Sequence, residues 1–95
     1  MVKIEWSLLA YEDLESIFNF ISKDSVFYAN RQIDTLVNRV DILEEYPQAG
    51  RIVPEFNNEF IRELIEGNYR IIYKIQIDLI FILRIHHTSR NLTSI

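Results

Sequence analysis

Cysteine is absent, glycine and proline occur twice each, and methionine and tryptophan once each, in a chain of 95 residues. No disulfide framework can hold such a chain together, and collagen-like or low-complexity architectures are excluded. Long apolar runs are missing too. The stretch over residues 79–83 stops at Arg84, whereas a membrane-spanning helix needs about 20 apolar residues. The N-terminal residues, through Trp6, contain no signal-peptide core and no small-residue cleavage site, so the expectation is a cytoplasmic protein without a membrane partner. What is present is 48% hydrophobic residues. That content suits one globular domain over residues 1–95, which must bury most of its aliphatic and aromatic side chains to offset chain entropy.

Charge of one sign is scarce only locally. Through Ala49 there are four Lys/Arg against nine Asp/Glu, a balance of −5; from Gly50 onward there are six against five, a balance of +1. Five of those six later cations are arginine. The planar guanidinium suits carboxylate and phosphate recognition, so the second half is the place to look for an anionic partner; solvated surface arginines are the plainer explanation.

Val2, Ile4 and Trp6 alternate with Lys3 and Glu5, the period of a strand with one buried face. Ser7 then has the chemistry of a helix N-cap, and Ala10, Leu14, Ile17, Phe18 and Ile21 recur at helical spacing to about Ser22. After the break at residues 23–25, Ala29, Ile33, Leu36, Val37, Val40 and Leu43 mark a second amphipathic helix, which Pro47 terminates. A helical hairpin is expected. Residues 46–59 hold both prolines and Gly50, and read as one long irregular connection. Three strand-like runs follow at 60–66, 69–76 and 79–86, with Gly67-Asn68 as a hairpin turn and a second turn near Ile77-Asp78. The fold class is therefore α+β: an N-terminal strand, a helical hairpin and a three-stranded antiparallel meander, with the helices on one face of the sheet.

Strict alternation puts Tyr69, Ile71, Tyr73 and Ile75 with Leu79, Phe81, Leu83 and Ile85 toward the helices. The other face then carries Arg70, Ile72 and Lys74 beside Ile80, Ile82, Arg84 and His86. Exposed isoleucines among cations point to a covering partner segment; a curved sheet shielding its own isoleucines is the alternative. His86 and His87 are adjacent, so they point to opposite faces and disfavour joint metal ligation. With two glycines in all there is no phosphate-cradling motif, and neither a metal nor an organic cofactor is expected. One constellation carries chemistry. Glu55, Arg70, Arg84, His86 and Arg90 include a base, charge-stabilising cations and an acid, the set that RNA cleavage by the 2′-hydroxyl requires. Structural salt bridges account for the same residue types.

Several short runs, taken in order, resemble a known superfamily. They are Trp6 with Ala10, Asp13-Leu14 and Ile17; residues 46–55 (YPQAGRIVPE); Ile61-Arg62-Glu63-Leu64; Tyr69-Arg70-Ile71-Ile72-Tyr73; and residues 84–90 (RIHHTSR). Together they resemble the RelE/ParE toxins of type II toxin–antitoxin pairs, over almost the whole chain. The resemblance implies a small toxin held inactive in a hetero-oligomer by a cognate antitoxin, which wraps it with helical and extended segments. The antitoxin-binding face would then be the one assigned to Ile72, Lys74, Ile80 and Ile82.

The superfamily contains two mechanisms. By resemblance to the RelE and YoeB branch, a ribosome-dependent mRNA endoribonuclease, Glu55 would be the general base, Arg70 the phosphate-stabilising cation and His86 the general acid. His87 stands where that pattern has tyrosine, and the strongly basic character that favours ribosomal RNA is missing. By resemblance to the ParE branch, which includes plasmid-stabilisation proteins, the toxin would poison DNA gyrase without cutting nucleic acid, so that it is not itself an enzyme. The ending from His86 to Leu92 resembles the His-x-x-x-Arg tails of that branch, with Arg84, His87 and Arg90 as target-binding residues. The acidic chain favours the gyrase reading, with the ribosome and mRNA as the alternative targets.

Overall fold

A computed structural model describes residues 2–92 of the protein. The chain runs β1 (Lys3–Trp6), α1 (Leu8–Ser22), α2 (Val26–Arg39), a 3-10 turn (Val40–Glu44), β2 (Arg51–Ile52), β3 (Ile61–Glu66), β4 (Tyr69–Gln76) and β5 (Leu79–His87). All five strands form one sheet in the order β1-β5-β4-β3-β2, with β1 parallel to β5 and every other pair antiparallel. The α+β arrangement with a helical hairpin on one face is as expected.

Local chemistry sets the element boundaries. Ser7 Oγ accepts from the Ala10 N–H at 2.9 Å and opens α1; Ser25 Oγ accepts from the Tyr28 N–H at 3.2 Å and opens α2. The second helix does not run regularly to Pro47 but tightens into 3-10 geometry from Val40. Gly67 takes φ +58° in the first hairpin turn, and Asp78 takes φ +58° in the second. The expected irregular connection contains a short strand, since Arg51 and Ile52 pair with Glu63 and Arg62.

The core between helices and sheet collects Ala10, Leu36, Val40, Leu43, Leu64, Ile71, Tyr73, Ile80, Ile82 and Ile85. Here the expected parity of β5 is corrected. Ile72 pairs with Arg84 but Tyr73 pairs with Ile82, so Leu83 is an extra residue in a β-bulge. Before the bulge Ile80 and Ile82 face the helices and are fully buried; after it Ile85 does. Ile72 does face away from the helices, as alternation requires, yet it too is fully buried. It lies under Val53 and Leu92, with Phe56, Ile61 and Leu83 around it. Of the four residues assigned to an exposed antitoxin face, only Lys74 is exposed. The loop after β2 and the C-terminal segment cover the isoleucine that a partner was expected to cover.

Candidate functional site

On the face away from the helices, Arg70 sits at the centre of an ion-pair network. Strand pairing places Arg70 between Ile65 on β3 and His86 on β5, and Arg51 opposite Glu63. The Arg70 Nη1 and Nη2 atoms donate to Glu55 Oε2 and Oε1 at 2.7 and 2.8 Å, a bidentate pair. Its Nε donates to Glu63 Oε1 at 2.6 Å, and Arg51 Nε donates to the other Glu63 oxygen at 2.7 Å. The Glu63 side chain is fully buried and that of Arg70 nearly so, while the Arg51 side chain is 62% exposed. The hydrogen bonds from Arg70 hold the Glu55 carboxyl far down, at about 2 instead of 4.5, aided by the Leu92 N–H. The same pairing raises the Arg70 pKa above its already high value.

The C-terminal segment returns across this network. Arg70 Nη1 also donates to the Arg90 carbonyl at 2.9 Å, and the Leu92 N–H donates to Glu55 Oε2 at 3.1 Å. An open concavity of about 690 Å³ borders the cluster, with Arg51, Glu55, Ile65, Arg70 and Thr88 on its wall. His86, beside Arg70, is 4% exposed, and neither ring nitrogen has a hydrogen-bond partner among the described residues. Burial, reinforced by the nearby Arg90 and Arg84 charges, lowers its pKa and so disfavours the imidazolium form.

The loop that delivers Glu55 is pinned by Tyr73. Its hydroxyl donates to the Pro47 carbonyl at 2.8 Å and accepts from the Gly50 N–H at 2.9 Å. A Cβ at position 50 would lie 2.5 Å from the Glu63 carbonyl oxygen and 2.7 Å from the Tyr73 hydroxyl, so glycine is required there by close approach.

Glu55 and Arg70 are thus bonded to each other, with His86 paired beside Arg70 on the neighbouring strand. Arg84 is not among them as a free cation: its Nε and Nη2 donate to Asp13 of α1 at 2.8 and 3.0 Å, which raises its pKa. His87 is exposed, with Nδ1 accepting from the Ser89 N–H at 3.1 Å, and Arg90 is exposed. Sequence reasoning assigned no role to Glu63 or Asp13, the two carboxylates that anchor the arginines. Glu63 carried a usable signal: it shares strand parity with Ile61 and Ile65, a charge on an otherwise apolar face.

A family profile described as the ParE toxin of type II toxin–antitoxin systems matches residues 4–92. The chain belongs to this family. Among relatives of the ParE-type toxin, a protein of Caulobacter vibrioides named Toxin RelE2 is 31% identical over 90 residues, covering 95% of this chain and 99% of that one. The ParE-type fold recurs in the chromosomal ParDE toxin–antitoxin system of P. aeruginosa, at TM-score 0.77 and 22% identity, covering 92% of this chain and 96% of that one. It recurs again in the RelBE2 toxin–antitoxin complex of Mycobacterium tuberculosis, at TM-score 0.66 and 18% identity over 94% and 93% of the two chains. Membership in the RelE/ParE superfamily, expected from the sequence runs, is thereby established. Among the described residues of this ParE-type toxin, no helix is long and apolar enough to cross a membrane.

Proposed function

We propose that this type II toxin poisons DNA gyrase in the cytoplasm by binding it, and that a cognate antitoxin neutralises it in a hetero-oligomer. The observation that carries the choice of target is the bidentate Glu55–Arg70 pair. A general base works best with a pKa near the working pH, and a carboxylate held at about 2 is a poor proton acceptor. Arg70 spends its Nε and both Nη atoms on two carboxylates and a carbonyl, which leaves little of it for a scissile phosphate. Burial and the nearby guanidinium groups disfavour the imidazolium form of His86, the form that would protonate a leaving oxygen. The residues offered as base and as phosphate-binding cation are committed to the ion-pair network, and the residue offered as acid is buried.

What remains free fits a protein target. His87 at the end of β5 and Arg90 just beyond it are exposed, and Arg51 adds a largely exposed guanidinium nearby. The family match to ParE supports the same reading. For the antitoxin, a group of exposed apolar side chains lies at the tip of the hairpin, where Phe20, Val26, Phe27 and Tyr28 are each more than half exposed. The test is a gyrase supercoiling and cleavage assay with antitoxin-free protein. Inhibition with accumulation of linear DNA, lost in Arg90→Ala at an unchanged melting temperature, is the expected result. Inert behaviour toward gyrase, together with cleavage of ribosome-bound mRNA that Glu55→Ala abolishes, would overturn it.

A further inference from the structure

Among the described residues the buried His86 imidazole has no hydrogen-bond partner at either ring nitrogen, and it lies beside Arg70 in the cluster to which the C-terminal segment is bonded. Residues 89–92 are joined to that cluster by few links. These are the Arg90 carbonyl on Arg70, the Leu92 N–H on Glu55, and the Leu92 side chain, 6% exposed against Val53 and Ile72. Before them the Thr88 N–H still donates to the Asn68 carbonyl at 2.7 Å, so sheet-type anchoring stops there. The Ser89 and Arg90 N–H groups bond back only to His87, so among the described residues these few links hold the segment to the cluster, and such a segment belongs to the least stable part of a domain. Arg90, within this segment, is also one of the charges that disfavour a protonated His86.

We propose that residues 89–92 form a detachable latch over the Glu55–Arg70–His86 cluster, and that protonation of His86 opens it. The charges around His86 set the direction. Arg70 on β4, Arg84 on β5 and Arg90 in the latch are all positive; Asp13 on α1 is the opposing carboxylate, already bonded to Arg84 and the Ile85 N–H. Glu55 and Glu63 are spent on Arg70. An imidazolium formed there gains no carboxylate of its own and meets three guanidinium groups. With the latch open it is relieved of Arg90. The closed state therefore holds the histidine below its ordinary value near 6.5. Latch closure is fully favourable above that value and weakens as pH falls through it. Opening would bare the Leu92 seat and the Arg70–Glu55 pair, which makes the accessible surface of the toxin pH-dependent whatever its target.

Amide exchange of the full-length protein, followed by NMR between about pH 7.5 and 5.5, tests this, with the His86 ring shift read in the same samples. The Leu92 amide should be protected at the upper pH and lose at least tenfold of its protection at the lower, in step with the His86 titration. The β4 and β5 amides should keep theirs, and His86→Gln should show flat Leu92 protection. Leu92 protection that stays constant while His86 titrates overturns the proposal. So does an identical loss in His86→Gln, or a loss shared by the strands. If His86→Gln does not fold, Arg90→Ala serves in its place. Removing the nearby positive charge brings the closed-state pKa of His86 back toward its ordinary value, so the loss of Leu92 protection between the two pH values should shrink, and an undiminished or larger loss counts against the latch.

Discussion

Glu63 shows how much a single side chain can decide. It is a fully buried carboxylate that satisfies Arg70 with one oxygen and Arg51 with the other. Removing one partner of a buried pair leaves an uncompensated charge in low dielectric, so Glu63→Ala should cost about 3 kcal/mol or more in denaturant unfolding. Glu63→Gln, which keeps one acceptor, should cost less. Glu55 lies nearer the surface and reports on pH. Its folded pKa of about 2 lies below its ordinary 4.5. The stability it contributes is therefore present above pH 4.5 and is lost as pH falls through that interval. Urea midpoints measured from neutral to acid pH should fall with a slope that Glu55→Gln flattens. Glu55, Arg70 and His86 were identifiable beforehand as types in a pattern. The bonding of Glu55 to Arg70, and of both to the tail, was not, because hydrogen-bond partners 15 to 37 positions apart leave no local trace.

At the scale of elements, β5 is where alternation misleads. Both parities of its first half are apolar, with Leu79, Phe81 and Leu83 on one and Ile80 and Ile82 on the other, so periodicity cannot choose between them. The bulge at Leu83 then lets Ile82 and Ile85 face the same way. Asp13 secures this irregularity from α1. Its carboxylate accepts from Arg84 and also from the Ile85 N–H at 2.9 Å. Ser7 adds a second bond to the same stretch, its Oγ donating to the Leu83 carbonyl at 2.8 Å. Asp13→Ala leaves a partly buried guanidinium and a backbone donor unpaired. The expected loss is about 2 kcal/mol, or roughly 10 °C in Tm for a domain of this size, measurable by calorimetry. Asp13→Asn, which retains an acceptor for Ile85, should lose less.

For the whole molecule, the distribution of exposed apolar surface matters more than net charge. The sheet face first assigned to a partner is already covered by the chain itself, whereas the tip of the hairpin presents Phe20, Phe27 and Tyr28. Phe27→Glu should leave Tm within a few degrees of wild type, since an exposed side chain contributes little to folding. In cells co-expressing the cognate antitoxin it should restore toxicity, because the proposed antitoxin surface is damaged; full neutralisation of that variant would move the surface elsewhere. The amino-acid sequence by itself determined the order and kind of nearly every element, because helical and strand periodicities, the Ser7 cap and the Gly67 turn are local properties that need no tertiary partner. Only the tertiary structure decided which isoleucines were buried, which arginines were free and where the tail lay. Burial and ion pairing depend on which distant segments meet, and a single extra residue in β5 was enough to reverse the facing of half a strand.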